Sequence, residues 1–192
     1  MKGDKLYKNL HQFLRHIDSI NDTYPMSLLL LNPYQRRASQ KFNKFIEDNV
    51  EEIEDENGEK AFAIVIEKQK IYENLSKNAE ISHLATKIIP ESLFVSLISQ
   101  YDAFFNRLLR IIYEYRPEYL NNSERTLNFS QLVSFKTIKA AREYVVEKEI
   151  EAILRKSHSD HFEYLEKKLS IPLRKKLSIW KKFVELTERR NL

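Results

Sequence analysis

The chain has 192 residues, 31% of them charged, with 2 Gly, 5 Pro and no Cys. That length suits one sizeable domain or a domain with a helical extension, and so little Gly and Pro favours helix. Without Cys there are no disulfides, thiolate metal sites or thiol nucleophiles, which fits the cytoplasm.

The net charge of +4 is unevenly spread: Glu47 to Glu59 holds eight acidic residues and no Lys or Arg, whereas Ser170 to Leu192 holds seven basic residues against two acidic ones. A basic end attracts phosphate backbones, although such runs also serve as plain solvated surface. No apolar segment of the signal-peptide kind follows Met1-Lys2, and the longest apolar run, Leu28–Leu31, is too short to span a bilayer. The expectation is a soluble, cytoplasmic protein with no membrane partner.

In chain order, Leu6, Leu10, Phe13, Leu14 and Ile17 recur at helical spacing and predict a first helix over Lys5–Ile20. Its His11 and His16 are five apart, which does not present two ligands on one face. Pro25 and Pro33 predict breaks, with Asn32 as the N-cap of a second helix carrying Tyr34, Ala38, Phe42, Phe45 and Ile46. Asn57-Gly58 reads as a turn. The apolar run Ala61–Ile66 fits a strand or a buried helix by periodicity, and its β-branched residues lean towards a strand in a small hairpin. A helix over about Ile71–Ile88, ending before Pro90, completes an N-terminal extension (residues 1–85) whose residues show no chemistry.

The segment Pro90–Tyr115 is the predicted centre of a helical bundle. Leu93, Leu97, Tyr101, Phe104, Leu108, Ile111 and Tyr115 form one stripe, and Phe94, Ile98, Phe105, Leu109 and Ile112 form a second beside it. Leu97, Phe104 and Leu108 are expected to be almost fully buried. Asp102, Asn106 and Arg110 make the remaining polar line, either a ladder facing water or, for Asp102, a carboxylate that orients another group. Arg116-Pro117 ends this helix, Asn121-Asn122-Ser123 marks a loop, and a long helix starts near Thr137.

Ser157-His158-Ser159-Asp160-His161 interrupts that helix, and Asp160 with Glu163 has capping-box spacing for the next. Three donors within four residues surround one ion poorly, so no metal site is expected there. Phosphate-cradling Gly-rich loops and nucleophile elbows are absent from the sequence.

The last stretch, Leu177–Leu192, places Trp180, Phe183 and Leu186 on an apolar stripe that continues to Arg190, while Lys181, Lys182, Glu185 and Glu188 project elsewhere. A guanidinium on such a stripe needs a partner or a cleft to offset its desolvation. The run Glu188-Arg189-Arg190-Asn191-Leu192 resembles the first half of the HEPN signature, Arg-x(4–6)-His, often with Asn after the Arg. The segments Ser99–Phe104, Ala141–Ile150 and Leu165–Arg174 resemble those of bacterial HEPN-type proteins, so the similarity spans roughly Pro90–Leu192.

This resemblance implies a mainly all-α, HEPN-type helical bundle over residues 86–192. It further implies a homodimer with a shared basic cleft, and metal-independent endoribonuclease activity of the toxin–antitoxin or phage-defence kind, without cofactor. An antitoxin or another defence-system protein is an implied partner beside RNA. Arg190 would hold the scissile phosphate, with Asn191 beside it and Asp102 orienting it; Arg189, Lys181, Lys182, Arg174 and Lys175 would attract RNA.

The motif His, which would assist attack by the ribose 2′-hydroxyl, is not among the 192 residues. His11, His16, His83, His158 and His161 all lie outside the motif position. The chain as given is therefore expected to bind RNA and to cleave it poorly. The alternative is a non-catalytic helical dimerisation or RNA-binding module.

Overall fold

The computed structural model describes residues 2–54, 60–121 and 126–189. Among them the chain is mainly all-α. The helices are α1 (Lys2–Asn49), α2 (Ile66–Tyr115), α3 (Phe129–Ser134), α4 (Ile138–Leu154), α5 (His158–Leu169), α6 (Leu173–Lys176) and α7 (Trp180–Arg189), with a 3-10 turn at Pro117–Leu120. Strands β1 (Val50–Glu54) and β2 (Lys60–Ile64) form one antiparallel hairpin. Two compact units divide the chain: Ile17–Ser96, and Met1–His16 together with Leu97–Leu192.

In the first unit, the strand expected at 61–66 is β2 as far as Ile64, whereas Ile66 already opens α2, and the Asn57-Gly58 turn lies outside the described residues. Its partner β1 falls inside the acidic run, where alternation hides the strand. Register pairs Val50 with Ile64, Glu52 with Phe62 and Glu54 with Lys60, and a Lys60–Glu52 ion pair relieves part of the like-charge crowding. Asn49 joins the two ends of the hairpin, donating to the Phe45 carbonyl at 2.9 Å and accepting from Lys68. Phe42 and Phe45 pack on Tyr72, with ring centroids 5.6 and 6.4 Å apart.

The predicted breaks at Pro25, Pro33 and Pro90 do not occur, and Asn32 caps no helix start: α1 passes both of its prolines and α2 passes Pro90. An interior proline removes one ladder bond and costs about 3 kcal/mol. A break forfeits more, because a second helix must be nucleated and the packing on either side realigned. Beside the first proline, Thr23 and Ser27 hydroxyls donate to the Ser19 and Tyr24 carbonyls.

The second unit holds the core. Phe105, Leu109 and Tyr113 of α2 meet Ile150 and Ile153 of α4 and Leu165 of α5. The second of the two predicted stripes is therefore the buried one: Ile98, Phe105 and Leu109 are within 5% of complete burial, whereas Leu97, Phe104 and Leu108 are only half-buried. The reason lies in what each stripe faces. Phe104 stacks on Phe13 of α1 at 4.6 Å, against a single helix, while the Phe105 line is enclosed by α4 and α5.

Asn9, itself buried, locks α1 to α2 by donating to the Phe104 carbonyl at 3.3 Å and accepting from Arg107 Nε at 2.6 Å. By length and composition alone α2 could cross a membrane. Its C-terminal part spends its apolar residues on this core.

Candidate functional site

The site begins with a helix cap. Ser157 and Asp160 form a reciprocal capping box: the Asp160 N–H donates to Ser157 Oγ, and the Ser157 N–H donates to the Asp160 carboxylate, each at 3.2 Å. The box thus starts three residues earlier than the predicted Asp160–Glu163 pair. Both histidines consequently belong to α5. Three residues apart, they share one side of the helix, and that side meets α2.

There Asp102 completes a cluster. His158 Nε2 lies 3.2 Å from Asp102 Oδ1, and one donor atom each from Asp102, His158 and His161 lies within 4.8 Å of the others. The predicted line Asp102–Asn106–Arg110 is split. Arg110 donates to Asn106 at 2.9 Å and pairs with Glu147 of α4, while Asp102 turns to His158.

Aromatic rings wall the cluster. His161 stacks on Phe105 at 4.6 Å and on Tyr101 at 6.2 Å, and His158 meets Tyr101 at 5.1 Å. From α7, Phe183 abuts Tyr101, His158 and Phe162, and Trp180 meets Phe162 at 4.8 Å. The His161 ring is buried, and neither of its nitrogens makes a well-formed hydrogen bond; the buried Tyr101 hydroxyl makes none either.

Burial, followed by the nearby His158, pushes the His161 pKa below its ordinary value, opposed by the Ile153 and Leu154 carbonyls and by Asp102. His161 is therefore neutral at pH 7. Burial and Asp102 push the Tyr101 phenol up, so it stays protonated. His158 and Asp102 remain partly exposed, at 12% and 35% of their side chains. A neutral imidazole, a second imidazole and a carboxylate at the edge of an apolar nest suit proton transfer or cation ligation.

The other predicted site residues are more scattered. Arg190 and Asn191 lie outside the described residues, and Arg189 closes α7. Lys181 and Lys182 are exposed on α7 and form no ion pair among the described residues. Arg174 is held by two carboxylates, donating through Nε to Glu166 at 2.8 Å and through Nη1 to Glu163 at 3.4 Å, so its charge is largely matched. Beside it Lys175 and Trp180 border an open cavity of about 670 Å³. The inward stripe of α7 runs through Trp180, Phe183 and Thr187; Leu186 is 49% exposed and Thr187 only 4%.

Sequence reasoning considered His158 and His161 but not their convergence on Asp102, and it missed Tyr101 as a wall of the site. The readable signal was Ser157 as an N-cap, which puts the two histidines at i, i+3.

No family model, curated protein or solved structure matches the chain.

Proposed function

We propose that this chain is an RNA-binding helical protein of the HEPN type, forming the body of a metal-independent endoribonuclease in a toxin–antitoxin or phage-defence role. The observation that carries the reading is the Asp102–His158 pair, 3.2 Å apart, against Phe183 of α7. Arg190 follows Phe183 by seven residues in the sequence. In this reading Arg190 holds the scissile phosphate, Asn191 assists, and Asp102 orients the guanidinium. Lys181, Lys182 and Lys175 supply sequence-independent attraction to the RNA backbone. Two copies pair through α7 and its neighbours, so that both Arg190 side chains share one cleft.

Cleavage also needs a group to take the 2′-hydroxyl proton, which commonly contributes about 10²–10⁴-fold. A polypeptide of these 192 residues lacks the motif His, so binding should exceed cleavage. The test is fluorescence anisotropy with a single-stranded RNA oligonucleotide, followed by digestion of the same RNA in EDTA. Binding should weaken steeply between 50 and 200 mM salt, and Lys181→Glu with Lys182→Glu should weaken it further. Any residual cleavage should vanish in Arg190→Ala. RNA that stays unbound at low salt removes the proposal.

A second reading is a non-catalytic dimerisation or RNA-binding module, favoured by the apolar surface of α1, where Met26, Leu29 and Leu30 are 62–75% exposed. RNA binding without cleavage, even at high protein concentration, selects it. A monomer in sedimentation at micromolar concentration removes the dimer from both readings.

A further inference from the structure

We propose that Asp102, His158 and His161 form a binding site for a transition-metal dication of the zinc type. The proposal does not rest on the ribonuclease reading.

Two imidazoles and a carboxylate are a donor set that Zn²⁺ takes readily in sites with an open fourth position. Tetrahedral ligands at about 2.0–2.1 Å from the ion sit about 3.3 Å from one another. The His158 Nε2–Asp102 Oδ1 separation of 3.2 Å already matches one such edge. All three donors lie within 4.8 Å of one another, so closing the remaining edges takes a shift of about 1.5 Å at most, within reach of side-chain rotation. The ligands come from two helices of the same unit, α2 and α5, and His158 and His161 are fixed in register by the Ser157–Asp160 cap.

The independent pointer is His161. It is 1% exposed, and neither ring nitrogen makes a well-formed hydrogen bond, although the Ile153 and Leu154 carbonyls lie close enough to act on the ring. A buried polar atom left short of hydrogen bonds is costly, and a stacking role against Phe105 asks for a phenyl ring rather than an imidazole. Ligation of one nitrogen removes that penalty. The Ile153 and Leu154 carbonyls, which already act on the ring, offer the other nitrogen the outer contact that metal-bound histidines usually make. The partial exposure of Asp102 and His158 gives an ion a way in and leaves a fourth position for water. A bound ion would clamp α5 to α2 directly beneath α7. It would also withdraw Asp102 from the role of orienting Arg190, so metal and RNA chemistry should oppose each other if both occur.

The experiment uses the untagged full chain, stripped with EDTA and dialysed, titrated with Co²⁺ in a spectrophotometer and with Zn²⁺ in a calorimeter. The expected result is one ion per chain, the visible bands of a four- or five-coordinate N/O cobalt site, and a higher Tm in Zn²⁺ but not in Mg²⁺. Asp102→Asn and His158→Gln keep side-chain size, and each should weaken Zn²⁺ binding at least about tenfold while retaining the helical spectrum. The cobalt spectrum of the unsubstituted chain reads the ligand set even if a variant misfolds. Failure to take up either ion saturably overturns the proposal, as does equal uptake by the Asp102→Asn/His158→Gln double variant, which would place the ion on surface histidines such as His11 or His16. Because no RNA enters the assay, the outcome is separate from the fate of the ribonuclease reading.

Discussion

Residues 17–96 and residues 97–192 draw on similar apolar alphabets, but they use them differently. Every described hydrophobic residue that is fully buried, from Ile98 through Phe105, Leu109 and Tyr113 to Ala141, Ile150, Ile153 and Leu165, lies in the unit built on Leu97–Leu192. In Ile17–Ser96 the fully buried described residue is a serine, Ser82, while Leu29 and Leu30 are 75% exposed and Ile66 84%. Two helices and a hairpin offer each apolar side chain cover from one side. A bundle of five or more helical segments encloses it. Burial area, not apolar content, separates the two regions, because the hydrophobic contribution scales with surface removed from water.

The largest expected effect tests that contrast directly. Phe105→Ala should destabilise the bundle by about 3–5 kcal/mol through lost burial and the cavity left behind. Phe42→Ala, which removes a half-buried ring near Tyr72, should cost nearer 1 kcal/mol, the centre of the distribution for point mutants. Trp180 is the sole tryptophan and belongs to the bundle, so denaturant unfolding followed by its fluorescence reports the bundle. A shift of that transition by Phe42→Ala as large as by Phe105→Ala would erase the distinction.

The contrast also explains what could be read in advance. Helix dominated because Leu, Ile, Lys and Glu at helical spacing leave little choice, and the β-branched Ala61–Ile66 run gave away the hairpin. The central segment showed two apolar stripes, and spacing could not say which one the bundle would cover. That choice belongs to α4 and α5, whose approach is a long-range fact. Pro25, Pro33 and Pro90 misled because a local rule met helices long enough to carry them. Asp102 was singled out, but its pairing with His158 joins residues 56 positions apart, and no spacing rule reaches that far. His161 looked like one of three crowded loop donors until the Ser157 cap drew it into α5.

A middle-sized effect concerns the polar seam inside the core. The hydroxyls of Tyr113 and Tyr164 bond each other, and the Tyr113 carbonyl accepts from Arg142 Nη2 at 3.1 Å. Tyr113→Phe keeps the ring and deletes the hydroxyl, so it should lower stability by about 0.5–1.5 kcal/mol, the usual net value of one such bond. Tyr164→Phe should cost a similar amount, and the double variant should cost less than the sum, since either single change leaves the other hydroxyl short of its partner. Strict additivity in urea unfolding would show that the two hydroxyls find other partners.

The smallest effect lies on the bundle's surface, where Arg110 of α2 pairs with Glu147 of α4 and the two side chains are 45% and 51% exposed. Hydrogen bonding to Arg110 is the main cause that holds the Glu147 carboxyl below its ordinary range. A group whose folded pKa is depressed adds stability above its unfolded pKa and loses it as pH falls through the folded value. A double-mutant cycle with Arg110→Met and Glu147→Gln should therefore give a coupling of about 0.2–1 kcal/mol at pH 7, as exposed pairs do. The coupling should shrink as acid protonates Glu147 below the ordinary glutamate range, and it should fall in 1 M salt, where charges are screened over about 3 Å. A coupling that persists in acid and in salt would mean that the two side chains act through packing of their stems, and the pair would then belong with the core rather than with the surface.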